Sequence, residues 1–247
     1  MLLIDGDIIC YRSVFSKEAE SVADFLFISD LYVRNIIKKA DDSDKEYKVF
    51  LTGKGNFRSQ VAVTAPYKGN RPAEKPEHLE TIRQHLLDYH PSTLSSDEEA
   101  DDMIAIEATQ RGSECVICSI DKDLDQIPGK HYNFVKDIRY TVTPWDGLVF
   151  FYSQILTGDR IDNVIGIRGI GPAKASKALK DCTTEQALFD RCVEMFEGDT
   201  DRVIENGKLL WLRRSNSEIW LPPTHTEAQV SEKKRQDETP EGIRLVV

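Results

Sequence analysis

Two apolar runs in this chain end in acids. Leu2-Leu3-Ile4 leads into Asp5, and Cys115-Val116-Ile117-Cys118 leads through Ser119-Ile120 into Asp121 and Asp123. Near-continuous apolar runs of this length suit strands covered on both faces, the condition of a parallel sheet between helices. Such sheets place their ligands outside the carboxyl ends of the strands. Glu99, Asp101 and Asp102, then Asp159 and Asp162, bring the acids placed to converge there to eight. Two carboxylates 4 Å apart repel by roughly 4 kcal/mol at an effective dielectric near 20, so a fold that gathers them needs a cation. Oxygen-only ligands favour hard cations such as Mg²⁺ or Mn²⁺, and such sites commonly perform phosphoryl chemistry.

Each acidic segment also has a plainer reading. Ser96 followed by Glu99 fits a capping box opening a helix over 97–111, and acids there complement the helix dipole and face water. Spacing adds the second reading, because Glu98 with Asp101 and Asp102, or Glu99 with Asp102, share a helix face. Asp121, Asp123 and Asp125 alternate in a loop where solvated acids are the ordinary expectation. The segment Thr157 to Lys174 is more specific. Glycines at 166, 169 and 171 let backbone amides approach a phosphate, and Pro172 opens a helix whose N-terminus favours an anion. Lys174, Lys177 and Lys180 recur along that helix, a ridge for nucleic-acid phosphates if not a solvated lysine face.

Strand-like runs at 2–4, 46–52, 114–120 and 131–135 alternate with helix-like segments at 21–39, 77–89 and 97–111, an order that gives an α/β fold with a mainly parallel central sheet. The expected organisation is a core over 1–145 with a loop or arch near 65–96, a helical region over 146–222 and a polar tail over 223–247, with a short strand at 243–247. No apolar run approaches the roughly 18 residues of a membrane span, and the first residues enter a strand rather than a signal peptide, so a cytoplasmic protein with no membrane partner is expected. Five cysteines without framework spacing agree with a reducing compartment, and Cys115 and Cys118 read as buried strand residues rather than half of a metal site. A formal net charge of −10 excludes coating nucleic acid by bulk charge. No pattern sets the oligomeric state, for which a monomer is the default.

Ile4-Asp5-Gly6-Asp7, Tyr67-Lys68-Gly69-Asn70-Arg71, Glu99-Ala100-Asp101-Asp102, Ser119-Ile120-Asp121-Lys122-Asp123 and the Gly158-to-Lys174 segment follow one another in an order that resembles the 5′-nuclease family. That family includes flap endonucleases, phage 5′–3′ exonucleases and the 5′-nuclease domains of bacterial DNA polymerases. The resemblance covers about residues 1–222 and is nearest to the phage type. It implies a PIN-like core with a helix–three-turn–helix. The implied activity is metal-dependent hydrolysis of DNA that has a duplex part and a free 5′ end. By motif position, Asp5, Glu99, Asp101 and Asp102 would surround a first Mg²⁺ or Mn²⁺, Asp121 would lie near both ions, and Asp123, Asp159 and Asp162 would hold a second. Lys68 and Arg71 would meet the scissile phosphate, which with Asp121 makes them the catalytic candidates. Tyr67 would stack on a displaced base and Arg12 would contact DNA, as would Gly169, Gly171, Lys174 and Lys177. The Gly166–Gly171 turn would hold K⁺.

One position departs. The family usually carries another acid at the end of the second strand, where this chain reads Thr52-Gly53, so a weaker first Mg²⁺ site is expected. Two other readings stay open, a non-catalytic binder of DNA structures with a degraded metal site and a ribonuclease on a related fold.

Overall fold

The computed structural model describes residues 1–40, 46–72 and 74–223. The strand expected at 243–247 and nearly all of the polar tail lie outside the described residues. The sheet has six strands, β1 (Leu2–Asp5), β2 (Tyr47–Lys54), β3 (Ser92–Ser96), β4 (Val116–Cys118), β5 (Gly129–Asn133) and β6 (Ile138–Val142). Their order is β3-β2-β1-β4-β5-β6, parallel throughout except for β6, which is antiparallel to β5. Ile4 is in register with Val49 on one side and Cys118 on the other. Asp5 therefore ends the central strand, with the β4 loop beside it.

Alternation along the central strands separates two apolar layers. Leu2, Ile4, Val49 and Leu51 pack with residues of α1 (Gly6–Val14), α2 (Val22–Ala40) and α4 (Leu79–Tyr89), among them Ile9, Val33, Ile36, Ile82 and Leu86. Leu3, Phe50 and Ile117 face the other way, against Ile104, Ala105 and Ala108 of α5 (Ala100–Arg111). The single-turn α3 (Arg58–Val61) lies between β2 and the loop that precedes α4.

A second apolar cluster belongs to the helical region. It joins α6 (Pro144–Thr157), α7 (Pro172–Leu179), α8 (Glu185–Met195) and α9 (Thr200–Leu210) around Phe151, Tyr152 and Trp220. A two-strand ladder, β7 (Gly158–Asp159) with β8 (Val164–Ile165), lies between α6 and α7.

Two strands depart from the sequence expectation. Ser-Thr-Leu-Ser-Ser at β3 lacks an apolar run because it is an edge strand bonded on one side only. It lies inside the loop expected near 65–96, whose part without helix or strand, among the described residues, is 62–72 and 74–78, between α3 and α4. β6 is the partly exposed return of a hairpin from β5. The start of α5 also shifts. Ser96 ends β3, the N-cap is Glu99, and the Glu99 amide donates to Asp102 at 3.1 Å. The box expected from Ser96 to Glu99 is thus replaced by contacts between Glu99 and Asp102.

Asp102 also receives a fully buried cation. Arg58 of α3 is 1% exposed, and its Nη1 and Nη2 donate to the two Asp102 oxygens at 2.6 and 2.8 Å. Its remaining donors go to the carbonyls of Leu209 at 2.8 Å and Trp211 at 2.7 Å, and the Arg213 amide adds a bond to Asp102 at 3.2 Å. Burial alone would raise the Asp102 carboxyl, but the Arg58 charge and these bonds hold it below its ordinary value. Both Asp102 oxygens are thus committed to Arg58 and to backbone amides, a structural role beside the metal ligation expected of this residue.

Removing one partner of a buried pair leaves the other charge uncompensated, at a cost of about 3–5 kcal/mol. Asp102→Asn is expected to lose that much stability in urea denaturation, equally in Mg²⁺ and in EDTA. A loss seen only in Mg²⁺ would place Asp102 in the ligand set instead.

Candidate metal and phosphate site

The other seven predicted acids lie around the carboxyl ends of β1 and β4, near enough to act on one another by charge, although no three of them bring ligand atoms within 4.8 Å of one another, and they divide into two electrostatic groups. Asp5, Asp101, Asp121 and Asp123 form the first. Ser119 Oγ donates to Asp5 at 2.7 Å and accepts from the Asp121 amide at 2.9 Å, which couples the ends of the two strands. Asp121 in turn accepts the Asp123 amide at 2.9 Å, opening a 3-10 turn at Lys122–Gln126. The carboxylate of Asp101 receives no hydrogen bond from any described residue.

Burial, and after it the charges of neighbouring acids, raises the carboxyls of this group. Asp5 is pushed up to about 7, mainly by burial and further by the charges of Asp7 and Asp121. Burial and then Asp5 and Asp121 place Asp101 well above its usual range. Asp121 is raised chiefly by burial, and Asp123 is pushed up to about 6 by burial and by Asp121. Four carboxyls that resist ionisation in one place are an oxygen donor set that fits hard divalent cations.

Glu99, Asp159 and Asp162 form the second group, which already has cationic partners. Lys68 Nζ donates to Glu99 and lies 3.7 Å from Asp162, while Arg71 Nη2 donates to Asp162 at 2.7 Å. Lys122 Nζ bridges Asp123 and Asp159, 2.9 Å from each. Burial would raise Glu99 and Asp159, but Lys68 and Arg58 hold the first below its ordinary value and Lys122 with two backbone amides the second. Lys122 thus stands between two of the carboxylates expected to share an ion. Its position was readable from its place between Asp121 and Asp123, although no ligand role draws attention to a lysine.

The Tyr67-to-Arg71 segment is a turn fastened to the 160–163 loop. The Lys68 amide donates to the Asp162 carbonyl at 2.8 Å, Asn70 Nδ2 to the Arg160 carbonyl at 2.6 Å, and Asn163 Nδ2 to the Pro66 carbonyl at 2.9 Å. Lys68 holds φ 55°, a left-handed conformation costly for a residue with a side chain. Tyr67 is placed differently from the base-stacking expectation. Its ring packs against the helical cluster and its hydroxyl lies 2.8 Å from Glu99 and 2.6 Å from Asp162, so it ties the loop to the acids.

The DNA-binding candidates lie around this centre. Arg12 is set over the Tyr32 ring, 5.6 Å from its centroid, in a cleft of about 450 Å³ that Tyr11, Phe15 and Ile120 also line. Ile120 neighbours Asp121, and Phe15 is 69% exposed, so an apolar, partly cationic surface adjoins the acids. Gly169 has φ +81°, and neither it nor Gly171 has another group within 4 Å of where a side chain would begin, which leaves the backbone there open to an approaching ligand. Gly171 caps α7, and Lys174 and Lys177 are exposed on that helix. Lys174 Nζ donates to the Gly169 carbonyl at 2.8 Å.

At the end of β2, Thr52 serves α5, its hydroxyl accepting the Ala100 amide at 2.9 Å. A side chain on Gly53 would begin 1.9 Å from the Ser95 carbonyl oxygen, so that position is closed to aspartate. Asp7, which no ligand role singled out, reaches this strand end from α1. It accepts the Thr52 amide at 3.1 Å and pairs with Arg83 of α4, which also donates to the Thr52 carbonyl.

Comparison with known proteins gives the family and the fold. The family described as 5′–3′ exonuclease, N-terminal resolvase-like domain, matches residues 1–147. DNA polymerase I of Bacillus caldotenax is 29% identical over 216 residues, 76% of this chain and 24% of the polymerase. Flap endonuclease Xni of Shewanella piezotolerans is 32% identical over 159 residues, 58% of this chain and 61% of its own. The chain thus spans about a quarter of the polymerase relative and less than two thirds of Xni. Among solved structures, T5 5′-exonuclease with zinc ions bound superposes with a TM-score of 0.65 at 19% identity, covering 85% of this chain and 88% of that one. Human GEN1 in complex with Holliday junction DNA gives 0.55 at 11% identity, covering 95% and 66%. These structures share the PIN-like fold, and by its matched sequence the chain belongs to the 5′–3′ exonuclease family.

Proposed function

We propose that this chain is a metal-dependent 5′ nuclease that hydrolyses DNA phosphodiester bonds at 5′ ends, flaps or nicks. The observation that carries the reading is the group Asp5, Asp101, Asp121 and Asp123, raised by burial and by one another, with two cationic side chains of one loop beside it. Asp5, Glu99, Asp101 and Asp121 would hold one Mg²⁺ or Mn²⁺, and Asp121, Asp123, Asp159 and Asp162 the other. When bound, two such ions supply an activated water and positive charge at the leaving oxygen.

The chain's own groups do the rest. Lys68, Arg71 and Lys122 now neutralise Glu99, Asp162, Asp123 and Asp159. With ions held by those acids the three cations would be free of them, and Lys68 and Arg71 would face the phosphate, where they would offset developing charge as preorganised groups. Lys122 would leave the space between Asp123 and Asp159. The open backbone at Gly169 and Gly171 with Lys174 and Lys177 grips duplex phosphates without reading sequence, and the Arg12 cleft takes the strand next to the cut. In the turn, the Lys174 ammonium supplies the charge that the resemblance gives to potassium, so K⁺ binding there requires Lys174 to leave the Gly169 carbonyl. The proposed setting is the cytoplasm, as a monomer acting on DNA. Among the described residues no helix is long and apolar enough to cross a membrane. A 5′-labelled flap with Mg²⁺ or Mn²⁺, run beside a matched RNA, tests the activity against the binding-only and ribonuclease readings.

Asp121→Asn is expected to abolish cleavage of that flap while duplex affinity stays within a few-fold of the parent. Single-turnover cleavage near the parental rate would sink the assignment of Asp121.

For Lys68→Ala, removing a preorganised charge at the reacting group predicts a loss of about 10²–10³ in single-turnover rate at saturating enzyme. A change confined to affinity would make Lys68 an ordinary phosphate contact.

Raised carboxyls also give a pH signature. Asp5 near 7 and Asp123 near 6 bind protons more tightly folded than unfolded. In EDTA their contribution therefore favours the folded state at low pH and is lost as pH rises through 6 to 7. Mg²⁺ competes with those protons, so the rise in Tm that Mg²⁺ gives should grow over the same interval. An increment that stays constant from pH 5 to 8 would show that these acids do not hold the ion.

A further inference from the structure

At the opposite end of the sheet, two histidines close on one carboxylate. Asp30 belongs to α2, His85 to α4, and His90 is the residue where α4 gives way to extended chain. His85 Nε2 lies 2.8 Å and His90 Nε2 2.9 Å from the same oxygen, Asp30 Oδ1. The three possible ligand atoms all fall within 4.8 Å of one another. The side chains of Asp30, His85 and His90 are 22%, 15% and 10% exposed, sheltered but reachable from solvent.

Helix geometry alone does not bring these rings together, since positions five apart do not share a face. The extended backbone of His90, φ −124° and ψ 150°, returns its ring to the side of His85. Tyr47 then fixes that ring from behind, its hydroxyl 3.1 Å from Nδ1. Tyr47 starts β2 and pairs with Leu2, whereas Asp5 ends β1. Five residues of strand, about 16 Å, separate Tyr47 from the Thr52 end where the acids gather.

We propose that Asp30, His85 and His90 bind a transition-metal ion of the zinc class, with water as the remaining ligand, and that the ion clamps α2 to α4. Metal–ligand bonds of about 2.0–2.2 Å set tetrahedral ligand separations of about 3.3 Å, so the histidine nitrogens need to move only a few tenths of an ångström from Asp30. Imidazole nitrogens select zinc-like ions over Mg²⁺, which separates this site from the oxygen-only group at the other end of the sheet. Each Nε2 must give up its proton to bind. For His90 the proton can reappear on Nδ1, where the Tyr47 hydroxyl can accept it, and any further proton goes to water. The clamped helix begins where the 62–78 loop ends and carries Arg83 to Asp7, so the ion would steady the base of the loop that holds Lys68.

The test uses the full chain, stripped of metal and then saturated with Mg²⁺ to fill the carboxylate group. One equivalent of Co²⁺ is expected to give the visible absorption of an imidazole-bound, low-coordinate ion, with displacement by Zn²⁺. Zn²⁺ should also raise Tm, as a ligand of the folded state does. Both effects should vanish in His85→Gln and in Asp30→Asn. If either variant fails to fold, the ring resonances of the parent serve instead, with His85 and His90 shifting on one equivalent of Zn²⁺ and the buried His131 staying fixed. Absence of the absorption, of the Tm rise and of the ring shifts in the parent would overturn the proposal and leave a hydrogen-bonded staple. An undiminished band in folded His85→Gln would overturn it as well.

Discussion

The start of α5 is where the rest of the molecule is set. Arg58 reaches it from α3, Leu209 and Trp211 reach Arg58 from the helical region, and Asp102 receives the charge. Desolvating the two ions costs several kcal/mol each, and only good geometry with further hydrogen bonds offsets that. Here the guanidinium makes four bonds and the carboxylate also accepts two backbone amides. An apolar replacement would be at least as stable by that reckoning. What the ion pair adds is direction: with Asp102 drawn back onto Arg58, the helix turns Asp101 toward Asp5 and Asp121 and leaves Glu99 with Lys68 and Tyr67. The same bonds dock the helical region on the sheet, which brings Asp159 and Asp162 to the other acids.

Once gathered, the acids are managed in two ways. Asp5, Asp101, Asp121 and Asp123 are raised, whereas Glu99 and Asp159 are lowered by cations from Lys68 and Lys122. Complete neutralisation by side chains would leave nothing for a metal to gain, and no neutralisation would cost more folding free energy than a domain has to spare. On the proposed function, the division would leave half of the centre poised for ions and lend the other half cations that substrate could claim. The strained Lys68 backbone fits the same arrangement, since its position is held by bonds to the 160–163 loop rather than by local preference.

Much of this was legible because strand ends and motif spacing are local signals. The apolar runs before Asp5 and Asp121 announce parallel strands, and the order of elements announces the layer fold. The Gly-rich turn with Pro172 marks the start of α7. What was not legible depends on partners distant in sequence. Asp102 looks like Asp101 in the chain, and only Arg58, 44 residues away, tells them apart. Tyr67 reads as a free loop aromatic until two acids are found around its hydroxyl. The edge strand at Ser92–Ser96 carries no apolar periodicity because it pairs on one side and packs little. His85 and His90 share no helical face, so their meeting at Asp30 depends on a break in helix geometry that no spacing rule predicts.

The departure at Thr52-Gly53 takes a different meaning in three dimensions. A missing acid suggests a weakened site, yet the Ser95 carbonyl leaves no space at Gly53 for any side chain. Thr52 has its own task, completing the N-terminus of α5 through the Ala100 amide. The strand end is nonetheless not without a carboxylate, because Asp7 approaches it from α1 and accepts the Thr52 amide. Its charge reaches Asp5, whose carboxyl it helps to raise. The charge at this edge is thus supplied by the helix after β1 rather than by β2, and it arrives with a counter-ion, since Arg83 pairs with Asp7. The consequence for a bound cation differs from simple loss of a ligand. Asp7 restores the negative potential only to the extent that Arg83 leaves it uncompensated, so on the proposed function the strength of the first site would follow the position of α4, the helix that carries Arg83.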